Sequence, residues 1–352
     1  MKGRGDRLAA SLAERELDLM LVTELVNIRY LTGFTGTNGA CVCGPETRLF
    51  LTDFRYTERA AAEVEGWETI TVSDDWLGGI AAHLSGRVGF EDDHVSVRLL
   101  ERLRGKLAQG VEAVAAGGSV EKLRRVKDDA ELKAIAAASE LADEVWNWSV
   151  ERGLAGRPER EVARAAEARI RELGGDPSFP AIVAAGPNGA LPHAEPGERP
   201  IGSGELVVFD MGAKLDGYCS DGTRTFAVGE PGEHAREVYE TVLAAQEAAL
   251  DTVAAGVGGE SLDAVARETI GAAGHGERFG HGLGHGVGLE VHEAPRVSPR
   301  SEDVLSAGEV VTIEPGVYLP GELGVRIEDL VVVTDQGCRN LSGLPKGLQI
   351  VA

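Results

Sequence analysis

The spacing of apolar and polar positions divides the chain into two parts with different orders of elements. In the first part, short apolar runs alternate with segments of helical spacing, which is typical of an α/β layer. The clearest predicted strands are Ala40–Cys43 and Arg48–Thr52, which pair around the turn Gly44-Pro45. The other predicted elements are helices over 8–16, 57–64 and 97–107 and extended segments over 19–23, 68–72 and 87–90.

The second part follows a stretch of small residues over 115–119, where we predict a domain boundary that separates residues 1–118 from 119–352. Helical spacing predicts helices over 127–152, 159–173, 235–252 and 262–273. Extended apolar runs are found over 181–184, 206–211, 310–313 and 325–333. Helices that come first, with strands interleaved later, favour an α+β domain whose curved antiparallel sheet is covered by helices.

Composition excludes several classes of function. The 352 residues carry a formal net charge of -22, which argues against nucleic acid or an anionic membrane surface as a partner. No run reaches the roughly 18 apolar residues of a membrane span, and the charged N-terminal segment lacks a signal core. The four cysteines form no convincing disulfide or zinc pattern, so we expect reduced thiols in a cytoplasmic protein.

Two aspartates near a strand and a turn are the first candidates for chemistry. Asp210 ends the apolar strand that begins at Leu206, and Asp221 follows after the turn over 214–217. A buried acid is costly unless it is paired or bound to a cation, and two nearby carboxylates repel each other. Taken alone, the pair is better explained by turn and surface positions.

A glycine-rich segment over 281–288 contains His281 and His285, and His292 follows shortly afterwards. Alternate glycines allow the backbone to run close to another group, and imidazole is the commonest metal ligand. A phosphate-binding loop is the competing interpretation, but it requires Lys followed by Ser or Thr, which are absent here. A structural turn also remains open.

Two glutamates interrupt apolar strands near the end of the chain. Glu314 follows the run over 310–313, and Glu328 lies within the run over 325–333. Strand alternation predicts that Arg326 and Glu328 share one face and that Asp329 lies on the other. Each glutamate alone is compatible with an edge position. Together with the other candidates they form an oxygen-rich ligand set that suits two divalent ions such as Mn²⁺, with Zn²⁺ or Co²⁺ possible.

These segments, in this order, resemble the pita-bread metallopeptidases, specifically the proline-specific branch of Xaa-Pro aminopeptidases and Xaa-Pro dipeptidases (prolidases). The matching motifs are Pro192-His193-Ala194, Phe209-Asp210-Met211-Gly212, the segment over 217–225, the loop over 281–292, Thr312-Ile313-Glu314-Pro315-Gly316 and Val325-Arg326-Ile327-Glu328-Asp329. The motifs over 27–34 and 52–56 resemble the N-terminal domain of the same branch. The resemblance implies a creatinase-type α/β domain over 1–118, a catalytic pita-bread domain over 119–352, and a homodimer.

The resemblance also implies a role for each candidate residue. Asp210 would chelate one metal, Asp221 and Glu328 would bridge both metals, and His285 and Glu314 would complete the second metal site. Glu314 would be the general base, His193 and His292 would contact the substrate, and Arg326 would orient the carboxylates. The proline pocket would be lined by Phe179, Val287 and Val291. His281 is expected to be structural, and Gly282 departs from the arginine that many relatives carry.

Two activities within the branch remain to be distinguished. We expect an aminopeptidase P, which releases the residue before proline from peptides with proline at the second position, because the short chain has no long insertions to wall off the cleft. The alternative is a prolidase, in which Arg296 would bind the free carboxylate of a dipeptide. A non-catalytic binding module and a metal-independent creatine amidinohydrolase are disfavoured because the ligand set is complete.

Overall fold

The computed structural model describes residues 3–352, which form two compact units. One unit ends at Arg124 and the other comprises Arg125–Ala352. We predicted the boundary after residue 118. The two units divide six residues later, between Arg124 and Arg125, at the end of the short helix Glu121–Arg125. No helix among the described residues is long and apolar enough to cross a membrane.

The first unit is built around a six-stranded mixed sheet with the order β4-β3-β2-β1-β5-β6. Its strands are β1 (Leu19–Val22), β2 (Ala40–Cys43), β3 (Arg48–Thr52), β4 (Glu68–Thr71), β5 (Arg87–Phe90) and β6 (Glu112–Ala115). Its helices are α1 (Arg4–Ser11), α2 (Leu25–Thr32), α3 (Thr57–Glu63), α4 (Trp76–Ala81), α5 (Val97–Arg104) and α6 (Glu121–Arg125). The predicted pairing of β2 with β3 is confirmed, with Ala40 opposite Leu51.

Helix α2 escaped prediction because its buried face is partly polar. Asn27 is completely buried in this helix and donates from its side-chain amide to Glu91 Oε1 at 2.8 Å. The other oxygen of Glu91 accepts the backbone N–H groups of Thr23 and Glu24, which caps the start of the helix. Burial raises the pKa of the Glu91 carboxyl above its usual value, although these hydrogen bonds act in the opposite direction.

The second unit contains four long helices that confirm the predicted ones to within a few residues. They are α7 (Asp129–Glu151), α8 (Glu159–Glu172), α9 (Glu233–Thr252) and α10 (Gly259–Ala272). Its strands are β7 (Asp176–Pro177), β8 (Ile182–Ala185), β9 (Leu206–Asp210), β10 (Ala213–Leu215), β11 (Tyr218–Cys219), β12 (Thr223–Val228), β13 (Gly284–Gly286), β14 (Glu293–Val297), β15 (Val310–Ile313), β16 (Gly316–Leu319), β17 (Leu323–Arg326), β18 (Asp329–Thr334), β19 (Gly337–Asn340) and β20 (Ile350–Val351).

Two largely antiparallel sheets form the centre of this unit, with the orders β20-β12-β9-β8 and β14-β13-β15-β18-β19. The apolar run over 325–333, predicted as one strand, is divided into β17 and β18 by Ile327 and Glu328. At this break the amide of Glu328 donates to the carbonyl of Thr223 at 3.0 Å, which links the two sheets.

Helices cover the sheets of the second unit through two hydrophobic clusters. One cluster packs Val242 of α9 and Leu262 of α10 with Val331 of β18. The other packs Trp146 of α7 and Ile170 of α8, together with Phe209 of β9. The predicted α+β class, with helices over antiparallel sheet, is therefore confirmed.

Candidate active site

The two aspartates lie at the same end of the β9–β12 pair. Thr223, the first residue of β12, is opposite Asp210, the last residue of β9. The intervening chain forms the small β10–β11 hairpin and returns through Asp221, so that the amide of Met211 donates to the carbonyl of Gly222 at 3.1 Å. Asp210 is 8% exposed and Asp221 is 9% exposed. The turn therefore brings two nearly buried carboxylates to one strand end.

Strand β13 carries His285 between two closely spaced neighbouring strands. A Cβ atom at Gly284 would lie 2.0 Å from the carbonyl oxygen of Thr312, and one at Gly286 would lie 2.2 Å from that of Ala294. The alternate glycines thus allow close strand packing. His285 Nδ1 lies 3.1 Å from the carbonyl oxygen of Gly286, which leaves Nε2 directed at carboxylates.

The two glutamates emerge beside these groups, and each is held by a threonine. The Thr312 hydroxyl donates to Glu314 Oε1 at 3.1 Å and accepts the amide of His285 at 3.1 Å. The Thr223 hydroxyl donates to Glu328 Oε2 at 2.8 Å. The Thr223 hydroxyl therefore holds Glu328 from a different strand, whereas the Thr312 hydroxyl holds Glu314 from the same segment and is itself bound to strand β13 through the His285 amide.

The side-chain oxygens and the imidazole nitrogen of the candidate ligands lie close together. Ligand atoms of Asp221, His285 and Glu328 all lie within 4.8 Å of one another. Nε2 of His285 is 3.6 Å from Asp221 Oδ2 and 3.3 Å from Glu314 Oε1. Burial, and then the neighbouring charge of Asp210, raises the pKa of Asp221 well above its usual value. The geometry therefore gathers the sequence-predicted ligands into one buried acidic cluster.

The donor set fits divalent cations on the evidence of its own polar atoms. Asp210 Oδ1 and Glu328 Oε1 are buried and have no hydrogen-bond partner within residues 3–352. Burial, followed by the charges of Asp221, Glu314 and Asp210, raises the pKa of Glu328 well above its usual value. Buried carboxylates with unused oxygens and strong mutual repulsion are what a hard cation relieves.

Arg326 connects this cluster to the segment that carries His193. It is 4% exposed, and its Nη2 donates to Asp210 Oδ2 at 2.5 Å. Its Nη1 donates to the carbonyl of Pro192 at 3.1 Å and to the Tyr318 hydroxyl oxygen at 2.9 Å. Arg326 therefore orients Asp210 and anchors the chain immediately before His193.

The three other candidate histidines surround the cluster. The His292 ring lies 4.3 Å from the His285 ring between centroids, and both His193 and His292 are exposed. Burial lowers the pKa of His292, and the nearby charges of His285, Arg296 and His193 act in the same direction. His281 instead contacts the Tyr318 hydroxyl at 2.9 Å and its neighbouring Gly282 carbonyl, outside the three-residue ligand group.

One predicted pocket residue lies in the core. Val287 is completely buried and packs with Ile135 and Leu330, so its side chain cannot face a substrate and the prediction was wrong. The pairing of β13 with β14 shifts register between His285 and Gly286, which interrupts strand alternation and turns Val287 inward. Phe179 and Val291 are half-buried, and Val291 packs against the same cluster as Val287, so the assignment of these two side chains to the pocket stays a prediction.

Comparison with known proteins identifies both parts of the chain. Residues 133–335 match the family model described as metallopeptidase family M24, and residues 4–126 match the creatinase/prolidase N-terminal domain. The chain belongs to metallopeptidase family M24. It is accordingly a metal-dependent peptidase with the pita-bread fold, as the resemblance in the sequence implied.

Relatives of this M24 peptidase include enzymes named for two activities. The Xaa-Pro dipeptidase of Pyrococcus furiosus is 36% identical over 345 residues, which cover 97% of this chain and 98% of that protein. The structure of an Xaa-Pro dipeptidase from Bacillus anthracis is 38% identical, covers 99% of both chains and gives a TM-score of 0.96. The structure of an X-Pro aminopeptidase from Thermotoga maritima is 36% identical, covers 97% of this chain and 100% of that one, and gives a TM-score of 0.90.

Sequence reasoning missed three side chains that hold the site of the M24 peptidase together. Thr223, Thr312 and Tyr318 contact the candidate ligands or the arginine and histidine beside them. A signal was present for the threonines, because Thr223 follows Asp221 by two positions and Thr312 precedes Glu314 by two. In extended chain this spacing places both members of a pair on one face.

Proposed function

We propose that this M24 peptidase is an Xaa-Pro dipeptidase, or prolidase, which hydrolyses dipeptides with proline at the second position. The relatives from Bacillus anthracis and Pyrococcus furiosus bear the name Xaa-Pro dipeptidase, whereas the Thermotoga maritima relative is called an X-Pro aminopeptidase. These comparisons support the prolidase alternative better than the aminopeptidase P expected from chain length.

The position of Arg296 carries the proposal. In the pairing of β13 with β14, Arg296 lies directly opposite His285, and directly opposite residues project from the same face of an antiparallel pair. Its side chain is exposed and its guanidinium has no hydrogen-bond or ion-pair partner among the described residues. A guanidinium beside the ligand cluster is suited to bind the carboxylate of a C-terminal proline.

We assign Asp210, Asp221, His285, Glu314 and Glu328 as the ligands of two divalent metal ions, with Mn²⁺ the first choice and Zn²⁺ or Co²⁺ as alternatives. Oxygen-rich sets with one imidazole accept all three metals. Bound metal would lower the pKa of water and polarise the peptide carbonyl.

The protein's own groups complete the site. In Glu314, burial works against the charged form, but the hydrogen bond and charge of His285 outweigh it and lower the pKa. We assign Glu314, beside the other ligands, as the general base that would accept a proton from the attacking water. His193 and His292 lie exposed beside the cluster, where they would donate hydrogen bonds to the substrate carbonyl.

Proline itself sets the remaining requirement. It has no amide hydrogen, so recognition must use the shape of its ring. The half-buried side chains of Phe179 and Val291 are the apolar groups that we assign to this contact. Arg326 would keep Asp210 oriented through the 2.5 Å contact between its Nη2 and the carboxylate.

Product analysis tests the proposal. The purified, Mn²⁺-loaded protein is incubated with Ala-Pro and with Ala-Pro-Ala, and an EDTA-treated sample serves as the control. We expect alanine to be released from the dipeptide and little from the tripeptide, with Arg296→Gln raising KM for Ala-Pro. Preferential cleavage of the tripeptide would identify an aminopeptidase P instead and leave Arg296 without this role.

The metal, the assembly and the location remain predictions. Parallel reconstitution with Mn²⁺, Zn²⁺ and Co²⁺ distinguishes the metals by bound stoichiometry and activity. The homodimer is implied by the sequence resemblance, and the cytoplasmic location is expected from the cysteine pattern. Light scattering that shows only monomer at micromolar concentration would contradict the dimer.

A further inference from the structure

We propose that Arg125 and Asp303 keep the guanidinium of Arg296 available for the substrate carboxylate, and thus act as positioning residues for substrate specificity. The inference rests on the proposed dipeptidase function. Asp303 lies beside Arg296, and Arg125 forms an ion pair with Asp303 that keeps its carboxylate from pairing with the Arg296 guanidinium.

Asp303 uses both carboxylate oxygens in contacts that leave the Arg296 guanidinium unoccupied. Oδ2 accepts the backbone amide of Arg296 at 2.8 Å, whereas Oδ1 pairs with Arg125 Nη1 at 2.7 Å. The main chain of Asp303 is held as well, because its carbonyl accepts the amide of Gly259 at 2.8 Å. The acid thus supports the backbone of Arg296 without contacting its charged group.

The backbone of Arg296 is fixed while its side chain remains exposed. The Ser301 hydroxyl donates to the Arg296 carbonyl at 2.6 Å, and the same hydroxyl oxygen accepts the amide of Asp303 at 3.1 Å. The start of α10 also packs closely here, since a Cβ atom at Gly259 would lie 2.5 Å from the Arg296 carbonyl oxygen. A fixed backbone with an exposed side chain restricts where the guanidinium can reach.

Arg296 and Asp303 line the same open cavity of about 510 Å³. The other lining residues are Ser298, Arg300, Ser301 and Glu302. Asp303 is held at the Arg296 backbone through the 2.8 Å contact of its Oδ2, so without Arg125 its unpaired charge would attract the nearby guanidinium. Asp303 would then occupy the position of the substrate carboxylate and weaken binding. No such contact ties the exposed Glu302 to Arg296 within the described residues.

Arg125 prevents this because it is itself firmly placed. Its Nε donates to Glu309 Oε1 at 2.8 Å, and the Glu309 side chain is only 1% exposed. The other oxygen of Glu309 accepts the amide of Ser306 at 3.0 Å. Glu309 therefore orients the Arg125 guanidinium so that Nη1 is presented to Asp303.

The test compares Ala-Pro with Ala-Pro-amide, which lacks the free carboxylate. For Arg125→Met we expect KM for Ala-Pro to rise about ten-fold, the scale of one weakened hydrogen bond to a charged group, with kcat retained. KM for the amide should not change. Equal changes for both substrates, or a change confined to kcat, would mean that Arg125 has a general structural role.

A double variant separates charge competition from loss of structure. In Arg125→Met combined with Asp303→Asn, the competing charge is gone while an oxygen remains to accept the Arg296 amide, so KM for Ala-Pro should return to the wild-type value. Absence of this rescue would overturn the inference. Arg339→Met, at an exposed arginine outside this cavity, is the control and should leave KM unchanged.

Asp303→Asn alone keeps the inference testable if Arg125→Met does not fold. It should not raise KM for Ala-Pro, and a ten-fold rise would overturn the inference. Arg296→Gln distinguishes this failure from failure of the proposed function. If Arg296→Gln leaves KM for Ala-Pro unaltered, the proposed carboxylate recognition fails, and the inference fails with it. If Arg296→Gln raises KM but the double variant shows no rescue, only the inference fails.

Discussion

The Thr223 hydroxyl donates a 2.8 Å hydrogen bond to Glu328 and accepts one from Arg326 Nε at 3.1 Å. Thr223 begins a strand of one sheet, whereas Glu328 precedes a strand of the other. The contact therefore fixes a candidate metal ligand across the junction of the two sheets.

Thr223→Val should weaken metal binding about ten-fold or more, because it removes the group that orients the Glu328 carboxylate. Calorimetric titration of the metal-free protein with Mn²⁺ measures the effect. Thr223→Ser retains the hydroxyl and is the matched control, with an affinity close to that of the wild type. Equal affinity of the valine variant and the wild type would show that the contact does not orient the ligand.

Glu314→Gln should lower kcat for Ala-Pro at least about 100-fold while the protein remains folded. The amide cannot accept the proton that we assign to the carboxylate. Steady-state kinetics with measured metal content tests this, and Glu322→Gln, at an exposed glutamate, is the control. Near-normal turnover of a metal-loaded Gln variant would remove Glu314 from the role of general base.

Gly284→Ala should disrupt the site because the added Cβ would meet the Thr312 carbonyl oxygen at 2.0 Å, a distance that requires strand β13 or β15 to move. Both strands lead to candidate ligands, so metal affinity and activity should fall together. Gly280→Ala is the matched control, since a Cβ there meets no heavy atom within 4 Å. Melting curves and metal titration distinguish the two variants, and similar behaviour would contradict the packing explanation.

Val287→Ala should reduce stability without raising KM. The side chain is completely buried, so its truncation costs about 2 kcal/mol of unfolding free energy and changes no substrate contact. Val291→Ala, at a half-buried position assigned to the proline ring, should instead raise KM for Ala-Pro. Denaturant unfolding and kinetics on both variants give the comparison, and the reverse pattern would restore Val287 to the pocket.

The wild type should gain stability relative to Glu91→Gln as the pH falls from 7 toward about 4.5. Because the pKa of Glu91 is raised in the folded state, the folded protein binds the proton more tightly than the unfolded chain does. This contribution is complete below the unfolded pKa and is lost as the pH rises through the folded pKa.

Urea midpoints across this pH range, followed by fluorescence of Trp67 and Trp76 in the same unit, measure the difference. Glu65→Gln, at an exposed position, corrects for general effects of charge. A constant difference between wild type and Glu91→Gln over the range would contradict the burial argument.

Much of the site was predictable because its ligands interrupt or end apolar strands. An acid such as Asp210 or Glu314 at the end of a hydrophobic run indicates a special environment. The α+β class followed from long helical periods and short extended runs. Val287 was misassigned because an apolar side chain near the ligands fits a proline pocket and a hydrophobic core equally well, and residue type alone does not distinguish the two.

Other features depend on pairs that are distant in sequence. Arg125 and Asp303 meet only because the start of the second unit lies beside the turn after β14. Helix α2 was hidden because Asn27, a polar residue, is buried through its contact with Glu91. Residue types alone do not report which distant partner will satisfy a buried polar group.

Because β9 and β12 pair in a fixed register, a change in chain length should be harmful within these strands and tolerated in the hairpin between them. Adding or deleting one residue within β9 would turn Asp210 to the opposite face, since successive side chains alternate across a strand. The β10–β11 hairpin between the aspartates lies outside this register, and its tip at Asp216 is exposed. An extra residue inserted at this tip should therefore leave the two aspartates in place, whereas one inserted in either strand should not.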